Sequence, residues 1–162
     1  MFKKSYTKEE LKLDINRLQD DVAVRINSIN CGGCGVFASI AHDRLSELGI
    51  ESEIIFYGYR GYKNEFEDSK VAIQNYLLTG RFKDFDMMHL SIVHFVIHIP
   101  KYEMYFDAEN IDDMLLSRWS HYEMQGSYDS KEIKVAINRC NWNTMYKTSQ
   151  NESLKEIIIQ NL

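Results

Sequence analysis

The sequence predicts an α+β domain in which a cysteine-bearing helix packs on an antiparallel sheet, and three observations predict it. Asn30-Cys31-Gly32-Gly33-Cys34-Gly35 is a glycine-rich turn that runs straight into helical spacing, with Val36, Phe37, Ile40, Ala41, Leu45 and Leu48 recurring and Gly49 as a stop. Leu90 to Ile99 is β-branched and apolar, and Tyr102 to Asp107 follows it across Pro100-Lys101, which reads as a hairpin. Thr7-Lys8-Glu9-Glu10 is a capping box that opens a separate helix.

That first helix carries Leu11, Ile15, Leu18 and Val22 on one face and is expected to end between Asp20 and Arg25. After the cysteine helix, Glu51 to Tyr57 reads as a strand. The Tyr- and Gly-rich segment Gly58-Tyr59-Arg60-Gly61-Tyr62 follows, and Tyr57, Tyr59 and Tyr62 read as loop packing in preference to a substrate platform. A helix is expected over about Glu67 to Leu78, with Val71, Ile73, Tyr76 and Leu77 apolar and Glu65, Glu67 and Asp68 as a solvated start. Beyond Asp107, the spacing of Ile111, Met114, Leu115 and Trp119 predicts a short helix. Ser120 to Ser130 reads as a polar loop, and Lys131 to Arg139 and Leu154 to Gln160 as closing helices. The order is α, α, β, α, β-hairpin, α, without repeat or linker.

Composition narrows the function classes. A chain of 162 residues is the length of one domain with room for a sizeable core. A net charge of −5 argues against a nucleic-acid backbone or an anionic membrane as partner. No apolar run approaches the roughly 20 residues of a spanning helix, and Met-Phe-Lys-Lys-Ser-Tyr lacks the apolar stretch of a signal peptide. The expected compartment is therefore the reducing cytoplasm, with Cys31, Cys34 and Cys140 as thiols.

Cys34 stands at the start of a helix, where unpaired N–H groups and the positive end of the macrodipole favour an anion. Helix N-termini are among the places where thiols become nucleophiles, and the glycines are expected to leave the sulfur uncovered and let a substrate approach the backbone. Such a nucleophile needs a base and a group that orients the base. With Pro100-Lys101 as a two-residue tip, His94 falls opposite Asp107, and cross-strand neighbours have Cβ atoms about 5 Å apart. The same register puts His98 opposite Glu103, a rival pair nearer the tip that reads as a solvated ion pair. His89 is a weaker candidate, and nothing in the sequence recommends His42 or His121.

These residues carry a resemblance. Cys34-Gly35-Val36-Phe37-Ala38 is similar to the Cys-Trp-x-Phe-Ala signature of transglutaminase-like proteins. Leu48-Gly49-Ile50 and the strand Ile54-Ile55-Phe56, then His94-Phe95-Val96-Ile97 and Tyr105-Phe106-Asp107, match the elements that follow in that core. Cys31-Gly32-Gly33-Cys34 with Phe37 also resembles the Cys-Gly-x-Cys-x-x-Phe of papain-like cysteine proteases. The resemblance covers about residues 30–108 as a catalytic core, with a helical C-terminal part over about 109–162. It implies a papain/transglutaminase-like fold, Cys34 as nucleophile, His94 as base and Asp107 as orienter. The substrate implied is a protein or peptide-like acyl group, attacked through a thioester with no cofactor or metal. Gly35 stands where the family has Trp, and Ser28 where papain has its glutamine. The supporting oxyanion donors are then Asn30 or backbone N–H groups such as that of Gly33. The small size would suit a phage or bacterial accessory protein.

Other chemistries fit parts of the pattern. Cys31-x-x-Cys34 at a helix start is also the mark of a thioredoxin-like dithiol, with Ile99-Pro100 in place of its cis-proline, and Cys31 is the alternative nucleophile. Half a zinc site lacks a second cysteine pair. Inert thiols in a structural turn, or a catalytically silent binding domain on the same fold, need neither Cys34 nor His94 for chemistry.

Overall fold

The computed structural model describes residues 5–26, 29, 33–81, 92–139 and 148–162. Helix α1 spans Lys8–Arg25 and α2 Cys34–Leu48, followed by β1 at Glu53–Gly58 and α3 at Lys63–Thr79. Strands β2 (Ile92–Ile99) and β3 (Met104–Phe106) flank a 3-10 turn over Pro100–Tyr102. Helix α4 (Asp112–Arg118), β4 (Glu123–Tyr128), α5 (Ser130–Arg139) and α6 (Thr148–Asn161) complete an α+β fold. The capping box forms: the Thr7 amide donates to Glu10 Oε2 at 2.9 Å, and the Glu10 amide to Thr7 Oγ1 at 3.2 Å. Gly49 ends α2 in the left-handed region at φ 75°.

The four strands form one antiparallel sheet in the order β3-β2-β1-β4. Ile54, Phe56, Phe95, Ile97, Ile99, Met104, Phe106 and Tyr128 project from it into a buried cluster that runs from Tyr6 to Leu162. Helix α2 packs on β2 and against α5 and α6, and α1 packs on α6. Phe37 of α2 meets Phe106 edge-on at 6.2 Å, which ties the cysteine helix to β3.

Three sequence expectations change. The polar loop expected over Ser120–Ser130 contains β4, so the C-terminal part is not purely helical. Its alternation was hidden because Tyr128 is the one large apolar residue that β4 buries. Gly126, on the same face, has no side chain at all: a Cβ there would lie 2.2 Å from the Phe66 ring. Helix α3 begins a turn early and is anchored by Phe66 and Ile73, whereas Val71 and Leu77 face solvent. Finally, the hairpin tip is longer than two residues. Pro100–Tyr102 turn as a 3-10 segment and Glu103 adopts φ 46°, so Ile99 pairs with Met104, His98 with Tyr105 and Ile97 with Phe106. The register is displaced by two residues, and neither His94–Asp107 nor His98–Glu103 is a directly opposed pair.

Candidate active site

Asp107 follows the last residue of β3, diagonally across from His94 in β2. Diagonal neighbours lie about 7–8 Å apart at Cα, within reach of an imidazole and a carboxylate. They meet: His94 Nε2 lies 2.7 Å from Asp107 Oδ2, and both side chains are buried. The other carboxylate oxygen, Oδ1, accepts the amides of Glu109 and Asn110, each at 2.7 Å. The Asp107 amide donates to Asn110 O at 3.0 Å, closing a tight turn around the acid.

A residue from the first helix holds that turn. Gln19 Nε2 donates to Asp107 O at 3.0 Å and to Asn110 O at 2.8 Å. Gln19 is a buried polar residue on the face of α1 that carries Leu18 and Val22, and sequence reasoning passed over it. The signal available was a polar side chain on an otherwise apolar helix face.

Cys34 is the first residue of α2, and the helix start has no side-chain cap. The expectation of an uncovered sulfur is corrected: Cys34 is 8% exposed. The helix tip sits tight against its neighbours, because a Cβ on Gly35 would lie 3.2 Å from both Phe95 and Ile137. Gly35, with no side chain, thus lets α2 lie close to β2. Gly35 meets Phe95, and the preceding residue, Cys34, interacts with the preceding strand residue, His94. Alternation alone would turn His94 away from the face that Phe95 occupies. The two come together at the tip of α2, beside a bulge in β1 at Tyr57/Gly58, where local twist is greater.

Burial alone would lower the His94 pKa. The hydrogen bond to Asp107, a hydrogen-bonding interaction and Coulombic attraction from Cys34, and the Asp107 charge outweigh it and raise the value to about 9. Burial likewise pushes Asp107 up, but His94 and the two backbone amides hold it below the ordinary carboxylate range. His94 Nδ1 is buried without a hydrogen-bond partner among the described residues.

Trp119, the C-cap of α4, stacks on the imidazole at 3.9 Å between ring centroids and an interplanar angle of 15°. Sequence reasoning saw Trp119 only as the end of a helix face. Tyr57 lies opposite His94 in β1, and burial raises its pKa, helped by Tyr105.

The remaining candidates separate clearly. Asn30, Cys31, Ser28, His89 and Cys140 lie outside the described residues. The Gly33 amide donates to Ile29 O at 2.8 Å, so Gly33 serves as the N-cap of α2 and its N–H is not free as an oxyanion donor. His98 Nδ1 contacts Glu53 Oε2 at 3.1 Å and its Nε2 lies 3.8 Å from Glu103, whose side chain is 78% exposed. That is a peripheral polar cluster, with the His98 ring stacked on Tyr105 at 4.2 Å. His42 Nδ1 contacts Ser52 Oγ at 2.8 Å, and His121 is exposed. Pro100 sits at the hairpin tip, about 20 Å along β2 from His94 at roughly 3.3 Å per residue, so it does not stand opposite Cys34 as a thioredoxin proline would.

Among the described residues, no three His, Cys, Asp or Glu side chains converge as a metal site, and no helix is long and apolar enough to cross a membrane. Compared with known proteins, the chain matches no family model, no curated protein and no solved structure.

Proposed function

We propose that the protein is a cysteine-dependent hydrolase or acyl transferase acting on amide or related acyl bonds, on a papain/transglutaminase-like fold. The observation that carries this reading is the His94–Asp107 pair, 2.7 Å apart and buried, with the ring acted on by a thiol at the start of a helix. A buried His–Asp pair beside a thiol at a helix start is the set of groups that a thiol nucleophile needs.

The chemistry follows from the geometry. Cys34 and His94 share one proton: with it on the ring the sulfur is a thiolate, and Asp107 stabilises the imidazolium through Nε2. The sulfur attacks the carbonyl carbon of the acyl group, and amides of the first turn of α2, whose N-cap Gly33 has no side chain to bind them, are donors for the oxyanion that forms. As the C–N bond breaks, His94 returns its proton to the leaving amine and a thioester remains. Water or an amine, deprotonated by His94, then attacks the thioester and releases Cys34 as the thiol.

Alkylation by iodoacetamide tests the reading. Cys34 is expected to react faster than Cys31 and Cys140 near pH 7, and His94→Ala to slow the reaction by about tenfold or more. Cys34→Ala is expected to abolish activity, and Asp107→Asn to lower it by about 10²- to 10⁴-fold because the ring loses its orienting acid. Equal labelling of the three thiols overturns the assignment. Full retention of a biological effect by Cys34→Ala would leave a binding domain instead.

A further inference from the structure

Four aromatic rings run outward from the catalytic imidazole. Trp119 stacks on His94; Tyr122 lies 5.6 Å from Trp119, Tyr59 lies 5.4 Å from Tyr122, and Tyr62 lies 6.2 Å from Tyr59. The rings come from two separate connections, one between β1 and α3 and one between α4 and β4. Their outer members are open, Tyr59 at 50% and Tyr62 at 44% exposure.

The strip is held in place without a ligand. Gln125, itself 4% exposed, donates through Nε2 to Tyr59 O at 3.1 Å, and the Tyr62 amide donates to the same oxygen at 3.3 Å. Arg118 lies over Trp119 at 5.7 Å, and its charge is already met by Glu109 at 2.6 Å. What remains is a set of pre-placed rings.

We propose that Tyr59, Tyr62 and Tyr122, backed by Trp119, form a specificity subsite. It takes an aromatic or other flat apolar side chain next to the acyl carbonyl of a peptide-like substrate. The inference rests on the acyl-transfer reading above. The strip begins in contact with His94, so a group lying along it is attached to whatever presents its carbonyl to Cys34. The acyl substrate is therefore the occupant, and not a separate partner. Edge-on and tilted rings reward another flat ring beyond the simple burial of its area.

Two N-acyl amino acid chloromethyl ketones, one built on phenylalanine and one on alanine, test this, with iodoacetamide as reference. In each, the Cys34 sulfur forms a bond to the methylene carbon and chloride leaves, so the warhead is constant and only the side chain differs. The phenylalanine reagent is expected to inactivate about tenfold faster than the alanine one, the value of burying one ring side chain. Tyr59→Ala and Tyr122→Ala are each expected to bring that ratio toward one. The ratio is taken on one preparation, so a general loss of thiol reactivity cancels. Rapid iodoacetamide labelling of Cys34 with no side-chain selectivity overturns the subsite alone. Slow labelling that does not depend on His94 overturns the acyl-transfer reading and the subsite with it.

Discussion

One nitrogen and one face of the His94 ring are engaged, Nε2 by Asp107 and the face by Trp119, and Cys34 acts on the ring electrostatically. This has a consequence for stability that can be worked out in sign. The folded pKa, about 9, lies above the ordinary 6.5, so the protonated ring stabilises the fold in full below pH 6.5. The contribution falls as the pH rises toward 9 and vanishes above it. Asp107 is shifted the other way: its contribution is present above the ordinary 3.8 and is lost as the pH falls through its lower folded value. Urea unfolding is therefore expected to show a plateau from about pH 4 to 6.5 and an alkaline decline on the order of 3 kcal/mol or less. His94→Gln is expected to flatten that alkaline decline, and a limb that survives the substitution would assign it elsewhere. At this scale the sequence was informative about residue types. A cysteine after glycines, a strand histidine and an aspartate at a strand end were all visible. The Trp119 stack was not, because it joins α4 to β2 across the fold and leaves no periodic trace.

Among the elements, α1 does more than fill the core. It reaches the Asp107 turn through Gln19, which satisfies two carbonyl oxygens 88 and 91 residues away in sequence. Gln19→Leu keeps the bulk and removes both donors. It is expected to destabilise the fold by about 1–3 kcal/mol, the cost of leaving a buried polar group unpaired. If Gln19 positions the acid, the substitution also lowers the His94 pKa from about 9, a shift that an NMR titration of the ring reads directly. A loss of stability with an unmoved titration would make Gln19 a structural brace only. The helices themselves were legible because cap and period agree: Thr7 with Glu10 for α1, and Cys34 through Gly49 for α2. The hairpin was legible as an element but not in register, since Pro100 starts a 3-10 turn and Glu103 takes a left-handed backbone. The diagonal approach of Asp107 to His94 compensated for that two-residue displacement.

Over the whole molecule, α+β character followed from the separation of helical and strand periodicities along the chain. The sheet's fourth member did not, because β4 draws its stability from pairing with β1 and from the Tyr128 and Gly126 contacts at Phe56 and Phe66, none of which is local. The C-terminal third is bound into the same core as the N-terminal helix: Leu154, Ile157 and Ile158 of α6 join Leu11, Ile15 and Leu18 of α1. The indole laid on His94 also makes an interior acid–base event optically visible. A protonated imidazole quenches a neighbouring indole's excited state more strongly than a neutral one. The chain has two tryptophans, so Trp142→Phe leaves Trp119 as its single emitter. In that variant fluorescence should brighten as the pH passes through about 9, and a substrate that displaces or neutralises the imidazolium should change the brightness at constant pH. The protein thus carries its own indicator dye, needing no label and no knowledge of a substrate to report when the His94 ring is charged.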